Sequence, residues 1–131
     1  MLLDTSGLFC LLHQREPQHI SARKIYSAAA ARFTHSYILD ELVSLAHSRR
    51  IARRHTLNFS QQLLNDSRVE IVWIDEGRHR QALDLLFARP DKTYSLCDAV
   101  SFVLMRERGE TEALTTDHHF EQEGLVRLLV P

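Results

Sequence analysis

Asp91-Lys92-Thr93-Tyr94-Ser95-Leu96-Cys97-Asp98-Ala99-Val100-Ser101-Phe102-Val103-Leu104-Met105-Arg106-Glu107-Arg108-Gly109 is the stretch that decides the fold. Leu96–Arg108 reads as an almost fully apolar helix, and Gly109 stops it. Ser95-Leu96-Cys97-Asp98 has the S-x-x-D spacing of a capping box just before an apolar run. Pro90-Asp91-Lys92 is a turn, and before it Arg78–Phe87 is helical through Ala82, Leu83, Leu86 and Phe87. Beyond Gly109, Ala113–Thr116 and Leu125–Val130 read as the last strands. Val69–Ile74 is rich in β-formers and reads as another.

The N-terminal half repeats the alternation. Met1–Asp4 is a short first strand, and Ser6–His13 has helical spacing in Leu8, Leu11 and Leu12. Pro17 marks the start of a helix carrying Ile20, Ala22, Ile25, Tyr26, Ala29 and Ala30. Arg32–Ser36 is a brief second strand. From Tyr37 the set Ile38, Leu42, Leu45 and Ala46 is helical, running on with a break through Ile51, Leu57 and Leu64. Short apolar strands separated by helices imply an α/β domain with a parallel sheet and helices on both faces. With 131 residues the expectation is one domain over 1–131, large enough for a real core.

Composition narrows the function. A net charge of −1 excludes a globally basic nucleic-acid binder, although a local basic patch stays open. Cys10 and Cys97 lack metal-type spacing and lie in apolar runs, so they read as buried free thiols of a reducing, cytoplasmic protein. No run approaches the roughly 18 apolar residues of a membrane span, and the start lacks the basic n-region of a signal peptide. There is no G-x-S-x-G, no P-loop and no glycine-rich dinucleotide turn.

Chemistry concentrates in Asp4, Glu41, Asp98 and Asp117. Three of them stand where a strand ends or a helix begins, the edge at which open α/β sheets bind ligands. Clustered carboxylates repel one another and need a cation, of the hard, oxygen-preferring divalent kind. Each acid also has a purely local use. Asp4 could cap the helix after it, in competition with Ser6; Asp98 fits a capping box; Asp117 could cap a short helix from His118 to Gln122. Asp40 rivals Glu41 by chemistry. The joint occurrence exceeds what capping requires. Eight histidines raise a zinc site. Adjacent residues such as His118 and His119 on a helix point in different directions and no H-E-x-x-H occurs, so surface or capping roles are preferred. Arg49, Arg50, Arg53, Arg54 and His55 form the strongest local charge feature. It suits a solvated helix face, phosphate-backbone contact, or an acidic protein partner.

Four stretches resemble the PIN-domain family, whose fold VapC-type toxin ribonucleases share. They are Leu3-Asp4-Thr5-Ser6, Leu39-Asp40-Glu41-Leu42, Asp91 to Ala99, and Leu114-Thr115-Thr116-Asp117-His118-His119-Phe120. The resemblance spans nearly the whole chain and implies a five-stranded parallel sheet of order 3-2-1-4-5. It implies that Asp4, Glu41, Asp98 and Asp117 are the catalytic, metal-holding set for Mg2+ or Mn2+, with Glu41 chosen over Asp40. Thr5, Ser6 and Thr116 would support them. The activity implied is metal-dependent cleavage of RNA by the toxin of a toxin–antitoxin pair, inhibited by a small antitoxin encoded separately. A homodimer is implied by the same resemblance. Alternatives are a PIN nuclease of RNA processing, a non-catalytic RNA- or protein-binding PIN module, a structure-specific DNA nuclease, and a phosphatase. Against the aspartyl-phosphate type of phosphatase, Asp4 lacks a second Asp two residues on.

Overall fold

A computed structural model describes residues 1–131. The elements run β1 (Leu2–Leu3), α1 (Thr5–Leu12), α2 (His19–Ala28), β2 (Arg32–His35), α3 (Ser36–Ser48), α4 (Arg53–Asn65), β3 (Val69–Val72), α5 (Glu76–Ala88), α6 (Leu96–Arg108), β4 (Glu112–Leu114), α7 (His119–Gln122) and β5 (Val126–Arg127). All five strands are parallel, in the order β3-β2-β1-β4-β5. That is the order the family resemblance implies. Central β1 is covered on both faces: Leu2 and Leu3 are fully buried and register with Phe33 on one side and with Ala113 and Leu114 on the other. One helical layer is α1 to α4; α5 and α6 pack together as a second. Parallel strands put their C-terminal ends at one edge of the sheet. Asp4, Ser36, Trp73 and Thr115 follow the strand ends there.

α6 is buried continuously from Cys97 to Met105. Its start is the expected capping box and its end the expected glycine, Gly109 at φ +62. Cys10 and Cys97 are free and buried, as expected.

Several boundaries differ from the sequence expectation, each for a local reason. α2 starts at His19 rather than Pro17, because Glu16 N–H bonds the His13 carbonyl and His19 N–H the Glu16 carbonyl, making successive turns. It stops at Ala28 because the Arg32 guanidinium takes the Tyr26 and Ser27 carbonyls at 2.7 and 3.3 Å. α5 begins at Glu76, ahead of Arg78, since the Asp75 carboxylate caps the Arg78 N–H at 2.8 Å. The break after Ala46 is a true helix end: Arg50 adopts φ +59 while Ile51 N–H reaches back to the Ala46 carbonyl, so α3 and α4 are separate. β5 is shorter than Leu125–Val130 in regular geometry, but Leu128 and Leu129 N–H still bond the Ala113 and Thr115 carbonyls.

Candidate active site at the carboxylate edge

Asp4 occupies the residue before α1, yet its side chain does not cap that helix. Its Oδ2 accepts a 2.7 Å hydrogen bond from Thr115 Oγ1, across 111 positions of sequence. Thr115 Oγ1 also accepts the Asp117 N–H at 3.0 Å. Since the Thr115 proton goes to Asp4, the Ser6 hydroxyl donates to Thr115 at 3.0 Å, and it accepts the Thr116 N–H at 2.9 Å. These bonds tie the end of β1 to the end of β4. Gly7 makes the approach possible: a Cβ there would lie 2.0 Å from the Leu114 carbonyl oxygen. Only a residue without a side chain lets α1 lie this close to β4.

The Asp98 carboxylate accepts the Ser95 N–H at 3.0 Å through Oδ2, while Ser95 Oγ accepts the Asp98 N–H at 3.0 Å. Asp98 does cap its helix, and the box uses only Oδ2. Glu41 is half-buried on α3, whereas Asp40 faces solvent, so the helix directs Glu41 inward. Asp117 Oδ1 accepts the His119 N–H at 2.9 Å, but the residue that opens α7 is His118, so Asp117 is not the helix cap the sequence allowed.

Electrostatics shows the acids to be neighbours. Burial pushes the Asp4 carboxyl up to about 7; the Thr115 bond opposes this, and the charges of Asp98 and Glu41 reinforce it. Asp98 is raised by burial first and by the charge of Asp117. The buried Cys97 thiol is pushed up by burial and then by Glu41, Asp4 and Asp98. Asp98 and Glu41 thus act on Asp4, and Asp117 acts on Asp98, while the ligand atoms that lie within 4.8 Å of one another are those of Asp117, His118 and His119.

Two residues of this site have roles other than those the sequence suggested. Thr115, not Thr116, carries the side chain that holds Asp4; Thr116 contributes its N–H to Ser6 and its carbonyl to Arg127. The side chain of fully buried Thr115 turns inward at the strand end, and Thr116 is left half-buried beside it. Thr5 is buried with no hydrogen-bond partner for its hydroxyl, leaving Ser6 to support Asp4 through Thr115. The second is His119. Its Nδ1 lies 3.1 Å from Asp117 Oδ1 and 3.6 Å from Asp98 Oδ2, and its Nε2 bonds Thr93 Oγ1 at 3.0 Å. His118 and His119 do not diverge as expected for a helix. His118 precedes the single turn of α7, so the two rings lie 4.5 Å apart. Asp117, His118 and His119 offer ligand atoms within 4.8 Å of one another. The signal for both was nearness to Asp117, from which Thr115 and His119 each stand two positions away.

A buried relay braces the floor. His35, fully buried at the end of β2, accepts the Ile38 N–H at Nδ1, so Nε2 carries the proton and donates to Ser101 Oγ at 2.8 Å. Ser101 donates to the Cys97 carbonyl at 3.1 Å. Burial lowers His35 to about 3, keeping it neutral. The relay joins the start of α3, which bears Glu41, to the first turns of α6, which bears Asp98.

Arg49, Arg50, Arg53 and Arg54 are exposed and form no ion pair. Arg49 lies over the Phe9 ring at 5.6 Å. Arg49 follows the last residue of α3, eight positions and roughly 12 Å beyond Glu41 at 1.5 Å per residue, and Arg53 and Arg54 open α4. The structure does not bring the cluster into the carboxylate site. No helix is long and apolar enough to cross a membrane.

The PIN-domain family model matches residues 1–124. Two relatives from Mycobacterium tuberculosis, strains CDC 1551 / Oshkosh and ATCC 25618 / H37Rv, are both named 23S rRNA-specific endonuclease VapC20. Each is 28% identical over 129 residues, covering 98% of this chain and 97% of the relative. The crystal structure of Mycobacterium tuberculosis VapC20, described as a sarcin-ricin loop cleaving toxin, aligns with a TM-score of 0.88 at 25% identity. That alignment covers 99% of this chain and 98% of the other.

Proposed function

The chain belongs to the PIN-domain family, and from that premise we propose that it is a divalent-metal-dependent endoribonuclease, the toxin of a toxin–antitoxin pair. The observation that carries the reading is the convergence of Asp4, Glu41, Asp98 and Asp117 on one edge, with Asp4 buried among like charges. A carboxylate held up at about 7 by burial and its neighbours is a group whose ionisation a cation would favour. The oxygen-rich donor set fits Mg2+ or Mn2+. The ion, when bound, supplies an acidified water and compensates charge on the phosphate.

This chain's own residues do the positioning. Thr115 and Ser6 aim Asp4; the Ser95 box fixes Asp98 through one oxygen; His119 braces Asp117 against Asp98. In hydrolysis the water oxygen bonds phosphorus, a bridging P–O bond breaks, and the departing ribose oxygen takes a proton. The site offers no Ser, Thr or Cys that need act as nucleophile, and Cys97, raised by burial, stays a thiol.

The VapC20 relatives are named for a 23S rRNA target, so the first substrate to try is an rRNA loop. A separately encoded antitoxin, a homodimer and cytoplasmic action complete the proposal. The exposed arginines between α3 and α4 are offered as phosphate contacts away from the cut. The test is incubation of purified protein with 23S rRNA in Mn2+, in Mg2+ and in chelator, beside Asp98→Asn. Cleavage in metal alone, lost in the variant, is expected. Metal-independent cleavage, or full activity in Asp98→Asn, would overturn the assignment.

A further inference from the structure

Trp73 is the only tryptophan of the chain, and it is 65% exposed. It is the first residue after β3, and β3 registers Val72 against His35 of β2. In a parallel sheet this places it at the same edge as Asp4 and Thr115, two strands from β1. At a strand spacing of about 4.8 Å, that is about 10 Å along the edge. The backbone around it is pinned. Val72 before it is buried in the ladder. Ile74 N–H after it bonds Ser36 Oγ at 2.9 Å, and Asp75 caps α5. On the α3 side, Tyr37 is itself held, edge-on to His79 at 5.7 Å and hydrogen-bonded to it. None of the molecule's ring pairs includes Trp73.

Exposing most of an indole on a rigid strand end costs hydrophobic stabilisation, and nothing inside the fold recovers it. We propose that Trp73 is a stacking platform for an unpaired base of the RNA whose backbone is cut at the carboxylate edge. The proposal rests on the endoribonuclease reading above and adds the residue that grips a neighbouring nucleotide. The ligand is a base rather than a phosphate because the charged groups that follow the ring are already paired, Asp75 with Arg78 at 3.3 Å and Glu76 with Arg80 at 2.9 Å, and leave no free cation beside it. The neutral π-face of a base needs no such cation, and stacking on aromatic rings is the ordinary way proteins hold unpaired RNA bases. The other large exposed apolar groups of this region, Leu83 and Phe87, lie 7 and 11 residues beyond Glu76, roughly 10 and 16 Å down α5. Trp73 is thus an isolated ring in polar surroundings and not one corner of a continuous apolar face.

A single tryptophan makes the test direct. In an Asp98→Asn background that does not cut, indole fluorescence is followed during titration with a synthetic RNA hairpin bearing an unpaired loop. An identical hairpin with an abasic loop is the control. Quenching by the first and not by the second is expected. In the active protein, Trp73→Leu keeps the apolar bulk and removes the ring, and Trp73→Phe keeps a smaller ring. The Leu variant should raise KM for the hairpin about 10- to 100-fold with kcat little changed, and the Phe variant should recover most of it. Unquenched fluorescence during saturable binding, or an unchanged KM in Trp73→Leu, would overturn the platform. So would a Leu variant whose only change is a shift from dimer to monomer in sedimentation, which would make Trp73 a self-association contact. Failure of wild-type protein to cut any RNA in Mn2+ would sink the nuclease reading instead, a separate result from these.

Discussion

The starts of α1 and α6 each carry an aspartate at the same sheet edge, and they use it oppositely. Asp98 is bonded within its own helix, through the reciprocal pair with Ser95 three residues away. Asp4 makes no cap bond, and its oxygen is held by Thr115 from the far end of the chain. One carboxylate is fixed by local sequence and the other by the pairing of β1 with β4. The lesson is that an acid at a helix start is not diagnostic by itself. What matters is whether its oxygens are used by the helix or by the rest of the fold.

The sharpest way to break this contrast is at the close approach that makes the α1 arrangement possible. Gly7→Ala should destabilise the protein by about 4 kcal/mol or more, since its Cβ meets backbone and not a yielding side chain. An ordinary helix position would instead gain roughly 0.5–1 kcal/mol from the same change. The denaturant midpoint therefore distinguishes the two by sign.

Next is the ionisation of Asp4. Its carboxyl is pushed up to about 7 in the folded protein, against an ordinary value of 3.8. Protonation thus favours the fold. The stabilisation is full below 3.8, declines as pH rises toward about 7, and is gone above it. In metal-free protein near pH 8, Asp4→Asn should be more stable than wild type, by on the order of 2–4 kcal/mol at about 1.36 kcal/mol per pH unit. The gain should vanish near pH 4. The wild type should melt higher in Mn2+, and the variant should lose most of that rise. Calorimetry in chelator at the two pH values, then in Mn2+, reads all three. A wild type indifferent to Mn2+ would remove the metal site.

At α6 the cap and the chemistry can be separated. Ser95→Ala should cost about 1 kcal/mol, the usual effect of removing a helix N-cap. Asp98→Asn keeps an acceptor for the Ser95 N–H and should change stability by less than that while abolishing RNA cleavage. Equal destabilisation in both variants, with cleavage retained in the second, would reduce Asp98 to a cap.

The smallest effect on stability is expected far from both helix starts. Replacing Arg50 and Arg53 together by Gln should move stability by no more than about 0.5 kcal/mol, as for surface sites generally. It should flatten the dependence of log RNA affinity on log salt, by about 0.7 for each single-strand phosphate that is no longer neutralised. An unchanged slope would return those arginines to a solvated face.

Much of this was legible in the chain itself. The alternation of apolar strands and amphipathic helices, the buried run from Cys97 to Met105, and the Ser95–Asp98 box are short-range patterns, and short-range patterns survive in sequence. So do the acids, three of them marked out by their place at element boundaries and Glu41 by its place in the amphipathic run of α3. The choice of Glu41 over Asp40 came from the family resemblance, and the face of α3 agrees with it, since only Glu41 turns inward. Tertiary structure alone decided the rest. Thr115 rather than Thr116 holds Asp4, Gly7 is the point where α1 meets β4, His119 stands between two aspartates, and the arginines lie at the far end of α3 from Glu41. The physical reason is common to them. Each depends on how closely two backbones distant in sequence approach, or on which of two adjacent side chains turns inward at a strand end. Parallel pairing and close packing set those distances, and neither is encoded in the spacing of residues along the chain.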